Sequence, residues 1–412
     1  MILYLSMVPG NPGQELKLSG IRRYCSARGW EVAGVARSDF SSKKLPDLLD
    51  EHRPDGCIVE GISNTDVPPP RLFGKVPVVY LECPPEVVGN APNILVDDDA
   101  IAHEAVRELS AGQPSCFAVV GAIAAYWWSL RRIRAFRKAV AAETGRPCHV
   151  FPISQSLKPE PYDDHVSRLS KWVAALPEKC AVFAVSDAIA VRVAKAARAT
   201  LRIIPKELAL ISVDNHPEIC ETADPPITSI QLDFERMGYV AAQAVGEIIA
   251  AKTAKTNAAH PGSLASKGKT AIISPLLAVR RRSTGGRGRR EPYVLAAVEI
   301  IRREACNGLT AAALAKRFRC SRVHFERRFR EATGHSPLDE ILHVRLEKAL
   351  TLLAETDVPI GAIADFCGFR TGRALDYLVH RRTGMSMRDW RRQNGRKLML
   401  QNCKYPQDNL LE

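Results

Sequence analysis

Residues 320–337 read CSRVHFERRFREATGHSP. Six of the twelve residues from Ser321 to Ala332 are charged, yet Phe325 and Phe329 stand four apart among them. At about 100° per residue, Phe325, Phe329 and Ala332 share one side of a helix, and Val323, Glu326, Arg327 and Arg330 share the other. Upstream, LTAAALAKRF (309–318) predicts a short helix with Thr310 as its N-cap and with Leu314 and Phe318 facing inward. Arg319-Cys320 makes a turn, and Ser321 is placed to cap the next helix. A short helix, a tight turn and a second amphipathic helix form a helix-turn-helix. The second helix of that motif lies in the major groove of DNA and turns its outer face to base edges.

One charged helix face reads equally well as solvated surface. The chain, however, repeats the arrangement fifty residues on. PIGAIADFCGF (359–369) predicts a short helix and a turn at Gly368, and TGRALDYLVHRR (371–382) follows. Leu375 and Val379 take the places of Phe325 and Phe329, and GMSM (384–387) repeats GHSP (334–337). The outer side of the second copy carries Arg373, Asp376, Tyr377 and His380. Between the copies, SPLDEILHVRLEKALTLLAET (336–356) predicts one longer helix. Ser336 caps it, Pro337 suits its first position, and Asp339 completes a capping box. Its expected inner stripe is Leu338, Leu342, Leu346, Ala349 and Leu353. Such a spacer would hold two reading helices for successive major-groove faces about 34 Å apart. The expected DNA contacts are Arg322, Val323, Glu326, Arg327 and Arg330 in the first copy, with Arg373, Asp376, Tyr377 and His380 in the second.

Residues 293–392 resemble the DNA-binding domain of the AraC/XylS transcription regulators. Gly368, Phe369, Gly384 and Ser386 fall on that family's second-unit pattern. Leu375, Val379, His380 and Met387 depart from its aromatics, basic residue and proline, and Tyr377 stands where an arginine is usual. In the first unit Arg319 takes the place of a turn glycine, so a positive φ there would carry strain on the order of 1 kcal/mol.

The charge agrees with a nucleic-acid partner. The chain of 412 residues has a net charge of +13, with 24 Lys/Arg against 15 Asp/Glu in residues 283–412 and 34 against 30 in residues 1–282. A basic excess concentrated in one region points to double-stranded DNA. The eleven cysteines contain no C-x-x-C pair, which argues against a disulfide framework or a structural zinc site and for a reducing compartment. MILYLSMVPG has no basic residue before its apolar run and reads as a first strand rather than a leader. No apolar run reaches the roughly 18 residues of a membrane span. A cytoplasmic protein is expected, with no membrane contact, metal or cofactor.

Residues 1–282 alternate two textures. ILYLSMV, WEVAGVA, GCIVEG, VPVVYLE, SCFAVVGA, CAVFAVSD and LALISVDN read as short buried strands. Residues 14–28, 99–111, 127–144, 163–175, 187–200 and 233–252 read as helices between them. The alternation predicts parallel sheets covered on both faces, and the length suggests an α/β domain of two lobes with a ligand cleft beyond the strands' carboxyl ends. Residues 253–270 read as an exposed loop and ISPLLAVRRRS as a last strand. The expected domains are 1–282, a Gly/Arg linker at 283–292, an all-α domain with two helix-turn-helix units at 293–394, and a mobile tail at 395–412.

Several stretches of the first domain resemble the sugar-binding domain of LacI-type repressors, which has the periplasmic-binding-protein fold. They are FAVSDAIAVRVAKAA around Asp187, LALISVDN ending near Asp214, DPPITSIQLDFERMGYVAAQAV, the closing PLLAVRRRST, and SLRRIRAFRKAV with Arg132. A sugar offers vicinal hydroxyls to carboxylates and guanidinium groups, and C–H faces to an aromatic ring. The expected ligand residues are Asp97, Trp128, Arg132, Asp187 and Asp214. Asp187 reads also as a helix cap, Trp128 as core, and any acid of VDDD (96–99) as the relevant one. The two parts on one chain resemble bacterial regulators of pentose use. That resemblance implies a small sugar effector, xylose or another pentose, and a homodimer, with RNA polymerase as a further partner of an activator. The alternatives are a constitutive regulator whose cleft binds no sugar, and a sugar-processing enzyme with a DNA-binding tail. Against the enzyme, no Walker loop, G-x-G-x-x-G, nucleophile elbow or H-E-x-x-H stands in the sequence.

Overall fold

The computed structural model describes residues 1–6, 12–36, 44–61, 67–153, 161–253, 270–285, 292–333, 336–356, 358–383 and 385–394. The chain divides into two compact units, one of residues 1–257 and 264–289 and the other mainly of residues 290–412.

The first unit opens with β1 (Ile2–Ser6), α1 (Pro12–Ser26), β2 (Val32–Ala36), α2 (Leu45–His52), β3 (Gly56–Glu60), β4 (Val78–Leu81), α3 (Pro85–Val88) and β5 (Asn93–Val96). It continues with α4 (Asp98–Ser110), β6 (Cys116–Val120), α5 (Trp127–Thr144), β7 (Cys148–Val150), α6 (Tyr162–Ala175), β8 (Cys180–Ala184), α7 (Asp187–Ala199) and β9 (Leu208–Asp214). It closes with α8 (Pro217–Cys220), β10 (Thr228–Gln231), α9 (Phe234–Thr253), β11 (Thr270–Ile273) and β12 (Leu277–Val279).

The strands make two six-stranded sheets, ordered β11-β5-β4-β3-β1-β2 and β12-β10-β9-β8-β6-β7. All pairings are parallel except β10 with β12. This explains why the strands read as continuous apolar runs: β1, β3, β4, β5, β6 and β8 are buried at every residue. The chain passes between sheets after β5, after β10 and after β11, which makes the two lobes.

Helix α9 returns across the first sheet and lies against α1. Two glycines permit the approach. A Cβ on Gly20 would stand 1.9 Å from the Glu235 carbonyl oxygen, and one on Gly238 would stand 1.9 Å from that of Lys17.

All seven predicted strand runs contain a strand, and the six predicted helices agree to within two residues at each end. Neither α2 nor the short strands β5, β7, β10 and β11 are among the predicted elements. Two of these, β7 and β11, are sheet edges with half-exposed residues, which weakens the apolar signal. The predicted loop at 253–270 falls almost wholly outside the described residues.

The linker starts later than residue 283. Arg282–Thr284 forms a 3₁₀ turn packed into the first unit. Ser283 is fully buried, donates to the Leu210 carbonyl at 2.5 Å and accepts from the Thr228 amide at 2.8 Å. A buried hydroxyl with two partners belongs to the domain rather than to a linker. Helix α10 (Pro292–Glu304) likewise starts inside the expected linker.

The second unit continues with α11 (Ala311–Arg317), α12 (Arg322–Thr333), α13 (Pro337–Glu355), α14 (Ile360–Phe366), α15 (Gly372–Thr383) and α16 (Met387–Asn394). Thr310 caps α11 by accepting from the Ala313 amide at 3.1 Å. Ser336 and Asp339 form the capping box at α13. The core includes Leu346, Ala349, Leu350, Leu353, Ile363, Leu375 and Val379. The inner stripe of α13 differs at one end: Leu338 is half exposed, and Ile341, 1 % exposed, is buried in its place. Pro337 and Glu340 of the same first turn are buried, so Leu338 lies on the outward side of the helix there. No helix of the described residues is long and apolar enough to cross a membrane. The tail at 395–412 lies outside the described residues.

Candidate functional site

Both sheets end their parallel strands at polar clusters. In the first lobe, Glu60 closes β3 and is buried. It takes a hydrogen bond from Tyr4, one from Ser6 Oγ at 3.2 Å, and an ion pair from Lys17 of α1. Lys17 also lies 4.9 Å above the ring of Phe234. A buried charge is tolerated only when paired and hydrogen-bonded, and here both halves of the pair are.

The second lobe presents a larger cluster. Arg132, on the second turn of α5, is buried, with Nε 3.3 Å from Asp98 Oδ1 and Nη1 3.7 Å from Asp214 Oδ1. The same Nη1 donates to the Val185 carbonyl at 2.7 Å. Arg131 takes the other Asp98 oxygen at 3.0 Å and lies 4.6 Å over the Trp127 ring. The Arg132 guanidinium is 5.2 Å from the Trp128 ring centre, and Trp128 stacks on Tyr126. Trp128 Nε1 is a buried donor with no acceptor among the described residues.

The electrostatics follow from this burial. Burial pushes the Asp98 carboxyl up to about 6, against the pull of Arg132 and Arg131. Burial also raises Asp214, with Arg132 opposing it and Asp187 adding to it. For Arg132, burial alone would lower its proton affinity, but the carboxylates of Asp214 and Asp98 outweigh it and hold it above its ordinary value. Lys17 and Glu82 of the first lobe also act electrostatically on Asp214, in opposite directions.

Of the five residues expected at the ligand, Trp128, Arg132 and Asp214 meet. Asp97 does not join them: its side chain caps α4, accepting from the Ala100 amide at 2.9 Å, and its neighbour Asp98 is the acid that reaches the arginines. Asp187 is fully buried and committed to protein, accepting from Ser212 Oγ at 2.5 Å, Ser229 Oγ at 2.6 Å and the His216 amide at 2.7 Å. It ties α7 to β9 and β10 and positions the cleft wall from behind.

Sequence reasoning missed the connection beyond Asp214. Asp214 and Asn215 both have left-handed backbone, φ 103° and 54°. Such residues are strained by roughly 1–3 kcal/mol and persist only when their surroundings hold them. Asn215 is held by Ser229, whose Oγ accepts its amide at 3.0 Å, and by Gln231, which accepts from Nδ2 at 2.7 Å. Its Oδ1 accepts from Arg281 Nη1 at 2.8 Å, and Arg281 also donates to the Ile227 carbonyl at 2.9 Å. A charged run straight after a strand, VRRRS (279–283), was the available signal.

In the second unit the two outward helices are matched residue for residue. Positions 321–330 and 371–380 have the same exposure sequence: four exposed, one buried, one half-buried, one exposed, one half-buried, one buried, one exposed. Phe325, Phe329, Leu375 and Val379 are the buried members, each 0 % exposed. Val323, Arg327 and Arg330 are exposed on the first helix, and Arg373, Tyr377 and His380 on the second.

Some of the nine expected contacts also have partners within the protein. Arg322 Nε pairs with Glu326 at 2.7 Å along one helix face. Asp376 Oδ1 accepts the Met387 amide at 3.0 Å and so starts α16. Gly384, in the echo of GHSP, lies outside the described residues, as do Gly334 and His335.

Both turns carry a positive φ, 52° at Arg319 and 74° at Gly368. At Gly368 a Cβ would also stand 2.6 Å from the Cys306 carbonyl oxygen. From the left-handed residue to the capping residue, the first turn has one residue between, Cys320, and the second has two, Phe369 and Arg370. Ser321 caps α12 through the His324 amide at 3.3 Å, and Thr371 caps α15 through Ala374 at 3.2 Å. Behind each unit an arginine clamps carbonyls of the preceding segment. Arg345 donates to Ala305 and Leu309 at 2.8 and 3.0 Å, and Arg391 to Leu353 and Val358 at 3.3 and 2.6 Å.

Comparison with known proteins agrees with both halves. Residues 115–266 match the periplasmic binding protein-like domain family, and residues 314–393 match a helix-turn-helix domain family. The chain is 26% identical over 363 residues to the xylose operon regulatory protein of Escherichia coli (strain K12), covering 85% of this chain and 87% of that protein. It is 24% identical over 280 residues to the Haemophilus influenzae protein of the same name, covering 68% and 69%. Among solved structures, the xylose-binding transcription activator xylR covers 95% of this chain and 98% of its own at 22% identity, with a TM-score of 0.53. The transcriptional regulator CelR in complex with cellobiose covers 68% and 84% at 20% identity, with a TM-score of 0.54. At these identities the structural likenesses establish the fold.

Proposed function

We propose that this xylose-operon-regulator-like chain, a LacI-type two-lobed domain followed by an AraC/XylS-type double helix-turn-helix, is a DNA-binding transcription regulator controlled by a small sugar. The observation that carries the reading is the pair of identically exposed helices, α12 and α15, on either side of the capped spacer α13. One exposed charged helix is solvated surface. Two in register on a spacer of 19 residues, about 28 Å long at the usual helical rise, are built to address two major-groove faces.

The effector reading is supported by the cleft. Arg132 and the carboxylates of Asp98 and Asp214 offer charge-assisted hydrogen bonds to vicinal hydroxyls. Trp128 offers a ring face and an orphaned Nε1 donor. A pentose such as xylose fits that donor and acceptor set in kind. The sugar closes the lobes by binding both clusters, and the strained Asp214–Asn215 step passes the change through Arg281 to the segment leading out of the first unit. The working unit is a homodimer in the cytoplasm, contacting RNA polymerase when it activates.

A gel shift on the chain's own upstream region, with and without xylose, tests this. A specific shift that sugar modulates is expected. No specific shift under any sugar sinks the regulator reading. A shift that ignores every pentose and hexose, together with an unmoved melting temperature, supports a constitutive regulator instead.

A further inference from the structure

The outer face of α5 carries a feature the effector cleft does not use. Arg134, Arg137 and Lys138 stand on one face of the helix, at i, i+3 and i+4, all exposed. Arg146 follows the helix after Gly145, at the entrance to β7, the edge strand of the second sheet. These four cations, with Ala141 and Cys148, line a groove of about 450 Å³. Lys138 has a carboxylate partner, Asp99 at 3.5 Å. The side chains of Arg134, Arg137 and Arg146 have none among the described residues.

Ordinary structural reasons do not account for the cluster. Cations at the last turn of a helix complement its dipole, but the last turn of α5 carries no basic residue and these sit in its middle. Like charges at i, i+3 and i, i+4 destabilise a helix. Two such pairs occur here, Arg134 with Arg137 and Arg134 with Lys138. A surface that needs only solubility mixes its signs, whereas this concavity gathers one.

We propose that this groove is a second binding site, for a small phosphorylated anion carrying two or more phosphate groups. Three arginines and one lysine match phosphate chemistry, since each guanidinium offers a planar fork to two phosphate oxygens. The volume lies in the range of small-ligand pockets, roughly 300–1,000 Å³. Ala141, Cys148 and the arginine stems leave an apolar wall for the rest of the ligand. A DNA backbone is the competing source of phosphate, but a duplex presents a broad convex surface, and the feature here is concave and bounded by one helix and one edge strand. The site stands on the first unit alone and does not rest on the sugar reading.

The test uses the full chain at low salt, with inorganic phosphate, pyrophosphate and ATP followed by thermal shift and titration calorimetry. Pyrophosphate and ATP are expected to raise the melting temperature more than phosphate does. The double change Arg134→Glu with Arg137→Glu is expected to weaken their binding by at least about tenfold and to leave any response to xylose intact. Arg146→Glu, outside the helix, is expected to act in the same direction and guards against a helix effect. No shift with any of the three anions, or an equal shift in the charge-reversed protein, overturns the proposal. It is also overturned if the double variant loses affinity only for duplex DNA and the small anions have no effect.

Discussion

Asn215 Oδ1 accepts a hydrogen bond from Arg281 Nη1 at 2.8 Å, which joins the neighbour of the cleft acid Asp214 to the segment that leaves the first unit. Replacing Asn215 by glycine keeps the left-handed backbone free of strain and removes only the amide. Asn215→Gly is expected to bind sugar nearly as the parent does but to lose the sugar-dependent change in operator affinity, a coupling typically of about 1–3 kcal/mol. Calorimetry with sugar and a gel shift on the operator separate the two effects. Retention of full coupling would show that Arg281 is only a structural tie.

Arg132 is held between two carboxylates and a carbonyl. Arg132→Lys keeps the charge but loses the fork, and is expected to abolish the sugar response with little loss of fold. Arg132→Ala leaves Asp98 and Asp214 buried without their shared cation, and is expected to lower stability by roughly 3–5 kcal/mol. Denaturant melts of both variants beside the parent check the order.

Asp98 gives a pH signature. Its ordinary value of 3.8 is raised in the folded chain to about 6. Below the lower value both states hold the proton and nothing is gained or lost. Between the two values the unfolded chain has released its proton and the folded chain has not, so stability falls as pH rises through this window. Asparagine does not ionise. Asp98→Asn should therefore gain on the parent from about pH 4 to pH 6, by roughly 2 kcal/mol after allowing for its loosened hold on the arginines. Melting curves of the pair across that range read the difference, and a flat difference counts against a raised Asp98.

The two turns predict opposite outcomes. Arg319→Gly relieves a left-handed non-glycine residue and is expected to stabilise the second unit by about 1 kcal/mol. Gly368→Ala adds strain at φ 74° and pushes a methyl into the Cys306 carbonyl, so its cost should exceed that gain. Thermal unfolding of the two proteins decides.

Arg327→Ala is expected to weaken operator binding by roughly 1–3 kcal/mol and to relax base preference at one position. Tyr377→Ala, at the matched place on the second helix, should cost less and alter preference less. If Arg327→Ala weakens binding equally on all sequences, Arg327 grips phosphate instead of reading a base.

The architecture was legible because its signals are periodic. Parallel strands buried on both faces leave apolar runs, and the twin helices leave Phe325, Phe329, Leu375 and Val379 at matching steps. The sites were legible in part. Arg132, Trp128 and Asp214 come together, but VDDD held three acids and only packing chose Asp98, by giving Asp97 to a helix cap. Asp187 looked like a ligand because it follows a strand, and two serines and a backbone amide from distant elements turned it inward. Asn215 with Arg281, and Lys17 with Glu60, join residues far apart in sequence, so no local pattern announces them. Leu338 failed as a core residue because the first turn of α13 packs through Pro337 and Glu340, which turns Leu338 outward.

The unequal turns, Cys320 alone in one and Phe369 with Arg370 in the other, have a consequence for the site. Two identical heads would read the same bases at both steps of a site. These heads differ in turn length and in the residue at the centre of the outer face, Arg327 against Tyr377. The two steps of the site that one chain covers are therefore expected to be unlike in sequence.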